Sequence, residues 1–170
     1  MEIDYHKYYF LEDYLFNEVR NNFLKNGFLT PEEFFCIIIW KANRAKTRIR
    51  TRLLSKNNNL ERTIKELTGD IFKEQEDIKK LGILLKKWKF YLPMATAILT
   101  VLYPDNFTIY DKRVCGQISF KETNSRKKYY YDFLPRIKEI TQRQDLSLRD
   151  ADRYLWGKSF YEDLKKFIKN

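Results

Sequence analysis

The stretch Lys86-Lys87-Trp88-Lys89-Phe90-Tyr91-Leu92-Pro93-Met94-Ala95-Thr96-Ala97-Ile98-Leu99 decides how this chain is read. Pro93 suits the first turn of a helix, where an N–H is not needed and its fixed φ is already helical. The apolar run that follows, Met94 to Leu102, reads as a compact helix, and Ala95 and Ala97 are small enough for close packing. A helical segment capped by Asp70 and running to about Lys87 precedes it. The stretch is therefore two helices joined by a tight connection. The amides that open the second helix, around Met94, Ala95 and Thr96, form a potential phosphate site. Lys86, Lys87 and Lys89 add positive charge beside it. An ordinary helix–loop–helix with exposed lysines fits the same residues.

Outward from this centre the helical pattern continues in both directions. Downstream, Pro104-Asp105 closes the apolar helix and Phe107-Thr108-Ile109-Tyr110 alternates as a short extended link. Asp111 caps a helix to about Ile118. A further helix runs from Arg126 to about Gln142, bent or divided at Pro135. Ser147-Leu148-Arg149-Asp150 and Ser159-Phe160-Tyr161-Glu162 read as two more N-caps, and an amphipathic helix closes at Ile168. Upstream, Tyr8, Leu11, Leu15, Val19 and Phe23 fall at helical spacing between about Tyr5 and Lys25, and Gly27 is the stop.

Thr30-Pro31-Glu32-Glu33 is a capping box. The helix behind it is apolar through Ile39-Trp40, then basic at Lys41, Arg44, Lys46, Arg48, Arg50 and Arg52. Asn57-Asn58-Asn59 breaks the pattern. A short helix from Leu60 to Leu67 ends near Gly69, before the helix that Asp70 caps. No repeat and no low-complexity linker occurs. The expected fold is all-α: a single compact multi-helix domain over residues 1–170, with a helix-hairpin-helix-like element at about 78–103.

Composition agrees with this and bounds the chemistry. Of 170 residues, 44% are hydrophobic and 33% charged, which suits a globular chain. Five glycines and four prolines are too few to punctuate many short strands. Aromatic residues make up 16%, enough for a core and for rings left over to line a pocket. Lys and Arg outnumber Asp and Glu by 33 to 23, for a formal charge of +10, which favours polyanionic partners. Cys36 and Cys115 sit in no metal-binding spacing and His6 is the one histidine. A metal site, a cofactor and a His-dependent triad are not expected. With no apolar run of about 18 residues and no signal segment, a cytoplasmic protein without a membrane partner is expected. The oligomeric state stays open.

Together with Tyr103-Pro104-Asp105-Asn106-Phe107-Thr108-Ile109-Tyr110-Asp111-Lys112-Arg113-Val114, the opening stretch resembles the helix-hairpin-helix DNA glycosylase superfamily, as a distant relative of its 8-oxoguanine glycosylase branch. In that superfamily a Leu-Pro-containing hairpin leads into a small-residue helix. An apolar link then ends in an aspartate before a basic helix. The resemblance covers residues from Lys86 to Val114, and the rest of the chain by helical character. The later Leu148-Arg149-Asp150-Ala151-Asp152-Arg153-Tyr154-Leu155-Trp156-Gly157 is similar to bacterial members of uncertain function. Two features depart from the pattern. The hairpin's usual glycines are absent, with Tyr91, Pro93 and Met94 in their region, and no lysine nucleophile lies between Phe90 and Asp111.

The resemblance implies DNA as partner, a role in DNA repair and Asp111 as the catalytic carboxylate of a monofunctional glycosylase, a hydrolase working without a Schiff base. Such a carboxylate stabilises an oxocarbenium-like transition state or orients water. An extruded base needs a pocket with stacking rings, for which Trp40, Tyr110 and Trp156 are the candidates, with Trp88 beside them. Asp111 is equally a helix N-cap, and the two roles are compatible. Arg113 pairs with Asp111 or contacts phosphate. Arg44 and Arg48 belong to a DNA-contacting surface or to a solvated helix face. A non-catalytic nucleic-acid-binding module and a helical protein-interaction domain are the alternative functions.

Overall fold

A computed structural model of the chain describes residues 4–169. Among these the regular structure is all helical, without a strand. The backbone divides into two compact units, one ending at Phe90 and one beginning at Tyr91.

The first unit begins with α1 (His6–Tyr9) and α2 (Leu11–Tyr14), a π-helical turn at Leu15–Val19, and α3 (Arg20–Asn26). The single helix expected here is therefore interrupted. Phe10 leaves the helical region at φ −91°, ψ 54°, and the π-turn brings both Leu15 and Val19 fully inside. Gly27 ends α3 with φ +76°, a conformation that costs an L side chain strain, and a Cβ there would meet the Phe72 ring at 3.2 Å. α4 (Pro31–Ala42) starts at the expected box. Glu33 N–H donates to Thr30 Oγ1 and Thr30 N–H donates to the Glu33 carboxylate. Phe34, Ile37 and Ile38 are wholly buried from α4. Burial of such a side chain stabilises by roughly 1.5–3 kcal/mol.

The basic half does not continue α4. Ala42 turns out at φ −160°, ψ 82°, a 3₁₀ turn follows at Asn43–Ala45, and α5 (Lys46–Asn57) runs separately. α5 buries Ile49 and Leu53, one turn apart, and ends at Asn58 in the left-handed region. Asn59 caps α6 (Leu60–Lys73) by accepting from Arg62 N–H. Gly69 was expected to stop this helix, but α6 runs through it. Its apolar stripe of Ile64, Leu67 and Ile71 is continuous, and Thr68 Oγ1 ties it to Leu29 N–H at 3.0 Å. The stop comes at Glu74, whose carboxylate accepts from the Gln75 and Glu76 amides. α7 (Asp77–Gly82) then widens into a π-turn at Ile83–Lys87.

In the second unit α8 (Leu92–Leu102) is buried along every residue but Pro93. The link Phe107–Tyr110 has no regular secondary structure and is buried. α9 (Lys112–Gln117) is capped by Asp111. α10 (Arg126–Lys128), a π-turn at Tyr129–Phe133 and α11 (Leu134–Gln144) follow. Pro135 is thus accommodated at the start of α11. The wide turn before it relieves the clash of its ring with the carbonyl four residues back. α12 (Leu148–Lys169) starts where Ser147 Oγ accepts from Asp150 N–H. The second cap expected at Ser159 is absent, because Ser159 lies inside α12, which is continuous over 22 residues. Gln117 and Arg113 of α9 hold the middle of α12 by donating to Glu162 and Asp163.

Candidate nucleic-acid interface

The residues singled out from the sequence fall into a basic surface on the first unit and a cleft on the second. On the first, Arg44, Arg48, Arg52 and Lys56 follow one another at four-residue spacing along α5 and the turn before it, which puts them on one stripe of the helix. No Asp or Glu occurs between Glu33 and Glu61. Arg44 and Arg48 are exposed and make no ion pair or hydrogen bond among the described residues, and Arg50 on the adjoining flank is equally free. Like charges one turn apart repel and weaken a helix slightly. The stripe is therefore maintained at some cost to α5.

This stripe is packed against the lysine-rich stretch that opened the sequence reading. Arg52 Nη1 donates to the Lys89 carbonyl at 2.7 Å, and its guanidinium lies 4.6 Å from the centre of the buried Phe90 ring. Lys56 Nζ donates to the Lys87 carbonyl at 3.4 Å and stands 4.6 Å from the centre of the buried Trp88 ring. Trp88 and Phe90 thus serve as the floor on which two basic segments, 41 residues apart at Arg48 and Lys89, are brought into one surface. Lys86 and Lys89 project from it exposed. Lys87 does not share their freedom. Its ammonium is held by Asp70 at 2.7 Å and Glu66 at 3.0 Å, and these hydrogen bonds raise its pKa above the ordinary lysine value. The basic run from Arg44 to Arg52 is legible in the sequence, and Lys56 is the residue left out of it. Its four-residue spacing from Arg52 is the signal that finds it.

The expected phosphate cradle at the start of α8 is not available in this form. Met94 N–H and Ala95 N–H both donate to the Tyr91 carbonyl, at 3.1 and 2.9 Å. Met94, Ala95 and Thr96 are all buried. The Thr96 hydroxyl donates to Leu92 O and accepts from Tyr110 N–H. Trp88 N–H and Phe90 N–H are likewise consumed, by Ile83 O and Leu84 O. A hairpin that anchors phosphate needs free amides, so this helix-hairpin-helix character is not confirmed. The two helices of the expected element, α7 with its π-turn and α8, lie in different units.

Asp111 on the second unit caps α9, its Oδ1 accepting from Arg113 N–H at 2.9 Å. It lines a cleft of about 450 Å³ together with Lys112, Arg113, Gly116, Ser159 and Asp163. No aromatic ring is in that lining. Arg113 is committed to Asp163 at 2.6 Å, and its guanidinium lies 5.5 Å from the Trp156 ring centre and 5.8 Å from that of Phe160. Lys112 lies 3.8 Å from Glu122.

The three rings expected to form a base pocket are not gathered at this cleft. Trp40 belongs to the first unit, half-buried against Phe16 with ring centres 5.8 Å apart. Tyr110 is a core residue among Phe120, Tyr129 and Phe133, and its hydroxyl accepts from Thr123 N–H at 2.6 Å. Burial pushes its pKa up to about 12. Trp156 is exposed on α12, stacked on Phe160 at 5.6 Å. Comparison of the chain with models of protein families, with curated proteins and with solved structures finds no match.

Proposed function

We propose that this chain binds DNA by its phosphate backbone, through the basic surface of its first unit. The observation that supports this is the joining of the Arg44–Arg48–Arg52–Lys56 stripe, in a segment with no Asp or Glu between Glu33 and Glu61, to Lys86 and Lys89 over Trp88 and Phe90. Several unpaired cations on one surface release counterions when they meet phosphates, and such contacts carry affinity without reading sequence. Full-length protein at low salt is expected to bind random-sequence duplex DNA. Arg48→Glu is expected to weaken that binding about tenfold or more, since it replaces an attraction with a repulsion. Arg48 is exposed, so the fold is not at stake. Absence of binding by the wild type, or unaltered affinity in Arg48→Glu, would contradict the proposal.

A second reading is base excision by a monofunctional DNA glycosylase using Asp111. It is supported by the resemblance and by the position of Asp111 on an open cleft. The lack of rings in the cleft's lining and the engagement of Arg113 by Asp163 favour the non-catalytic reading. The two are separated by incubating duplexes that contain 8-oxoguanine, uracil, hypoxanthine or methylated purines. The excision reading requires abasic sites with wild type and none with Asp111→Asn, without a borohydride-trapped lysine adduct. The backbone-binding reading requires no abasic sites, and equal duplex affinity in wild type and Asp111→Asn.

A further inference from the structure

The C-terminal half of α12 carries an apolar face that no other described residue covers. Trp156, Phe160, Tyr161, Leu164, Phe167 and Ile168 are all exposed, Phe167 by 80% and Ile168 by 72%. At 3.6 residues per turn they fall within an arc of about 140°, on the side opposite the buried Leu148, Ala151 and Leu155. The same helix therefore changes faces along its length. Its first half packs inward and its second half turns an aromatic and aliphatic surface to solvent.

The uncompensated charge beside that surface is positive. The acids of the segment, Glu162 and Asp163, are turned to α9 and occupied by Gln117 and Arg113. Lys158, Lys165, Lys166 and Lys169 make no ion pair among the described residues, and Lys165 lies 4.8 Å from the Tyr161 ring centre at the border of the arc. A wide apolar arc with free lysines along one flank and on the polar face is complementary to an anionic lipid surface. Rings and aliphatic groups enter the headgroup boundary while the ammonium groups meet lipid phosphates and carboxylates. We infer that α12 lies on anionic membrane surfaces through Trp156–Ile168. No helix among the described residues is long and apolar enough to cross a membrane, and the expectation of no membrane partner came from the lack of a spanning run. A helix lying in the surface needs no such run.

The test is co-sedimentation of the full chain with vesicles of phosphatidylcholine alone and with about 30% phosphatidylserine. The comparison is wild type against Phe167→Ser/Ile168→Ser. This pair keeps the charge and alters only exposed side chains, so loss of binding reads insertion rather than attraction by the basic surface of the first unit. Wild type is expected to favour the serine-lipid vesicles, and the double variant to bind them about tenfold or more weakly. No vesicle binding, or equal binding by the variant, overturns the inference. So does a shift from dimer to monomer caused by the substitutions, which would assign the face to a second copy. Loss of duplex-DNA binding in the variant with vesicle binding intact would assign it to nucleic acid and overturn it as well.

Discussion

Lys89 occupies a position that glycine usually takes. It sits at φ +55° directly after the π-turn that ends α7, and the Phe90 N–H behind it closes back on Leu84 O at 2.9 Å. A left-handed conformation costs a lysine about 1 kcal/mol relative to glycine. Its carbonyl receives Arg52 and its side chain projects into the basic surface. Lys89→Gly is accordingly expected to leave stability unchanged or raise it by about 0.5–1 kcal/mol, while weakening DNA binding. Denaturant unfolding and anisotropy titration measured on the same samples would check both halves. Local signals of this size were readable in the sequence. The box at Thr30 and Glu33 and the cap at Asp111 are made by residues two or three apart. Which amides remain free at Met94 and Ala95 was not readable, because it depends on where the Tyr91 carbonyl points.

At the scale of the element, periodicity located the helices and missed how they are joined. Gly69 looks like a stop and is not one, since the apolar stripe of α6 runs through it. Ala42 looks helical and is the break. Tertiary packing outweighs propensity at both positions, and that break makes the basic α5 an independent helix. The exposed end of α12 was read only as amphipathic, because a sequence does not say which apolar face finds a partner.

The start of α12 allows a pH test. The Asp150 carboxyl is held below the usual carboxylate range, chiefly by the Ser147 hydroxyl and then by Arg153. A lowered folded-state pKa stabilises the fold above the unfolded value of about 3.9, and this contribution is lost as pH falls through the folded value. Asp150 is exposed, so the effect is small. Asp150→Asn is expected to lower the melting temperature at neutral pH, with the difference from wild type shrinking as pH falls below the unfolded value. Ser147→Ala is expected to cost about 1 kcal/mol through the lost cap. A difference that persisted unchanged in acid would contradict the assignment.

Across the whole molecule the formal charge of +10 was plain from composition, but its arrangement was not. The all-helical class followed from few glycines, few prolines and long periodic stretches. The gathering of Arg48, Arg52 and Lys56 beside Lys89 depends on contacts between segments far apart in sequence. The proposed phosphate-binding surface requires such a gathering and diffuse basicity does not, and salt separates the two. The dissociation constant for a random-sequence duplex should be measured across a range of salt for wild type, Arg48→Ala and Lys25→Ala, the last removing an exposed cation on α3. If the basic surface grips phosphate, Arg48→Ala lowers the slope of log K against log salt by about 1, and Lys25→Ala leaves it unchanged. Equal slopes in all three proteins would contradict the account.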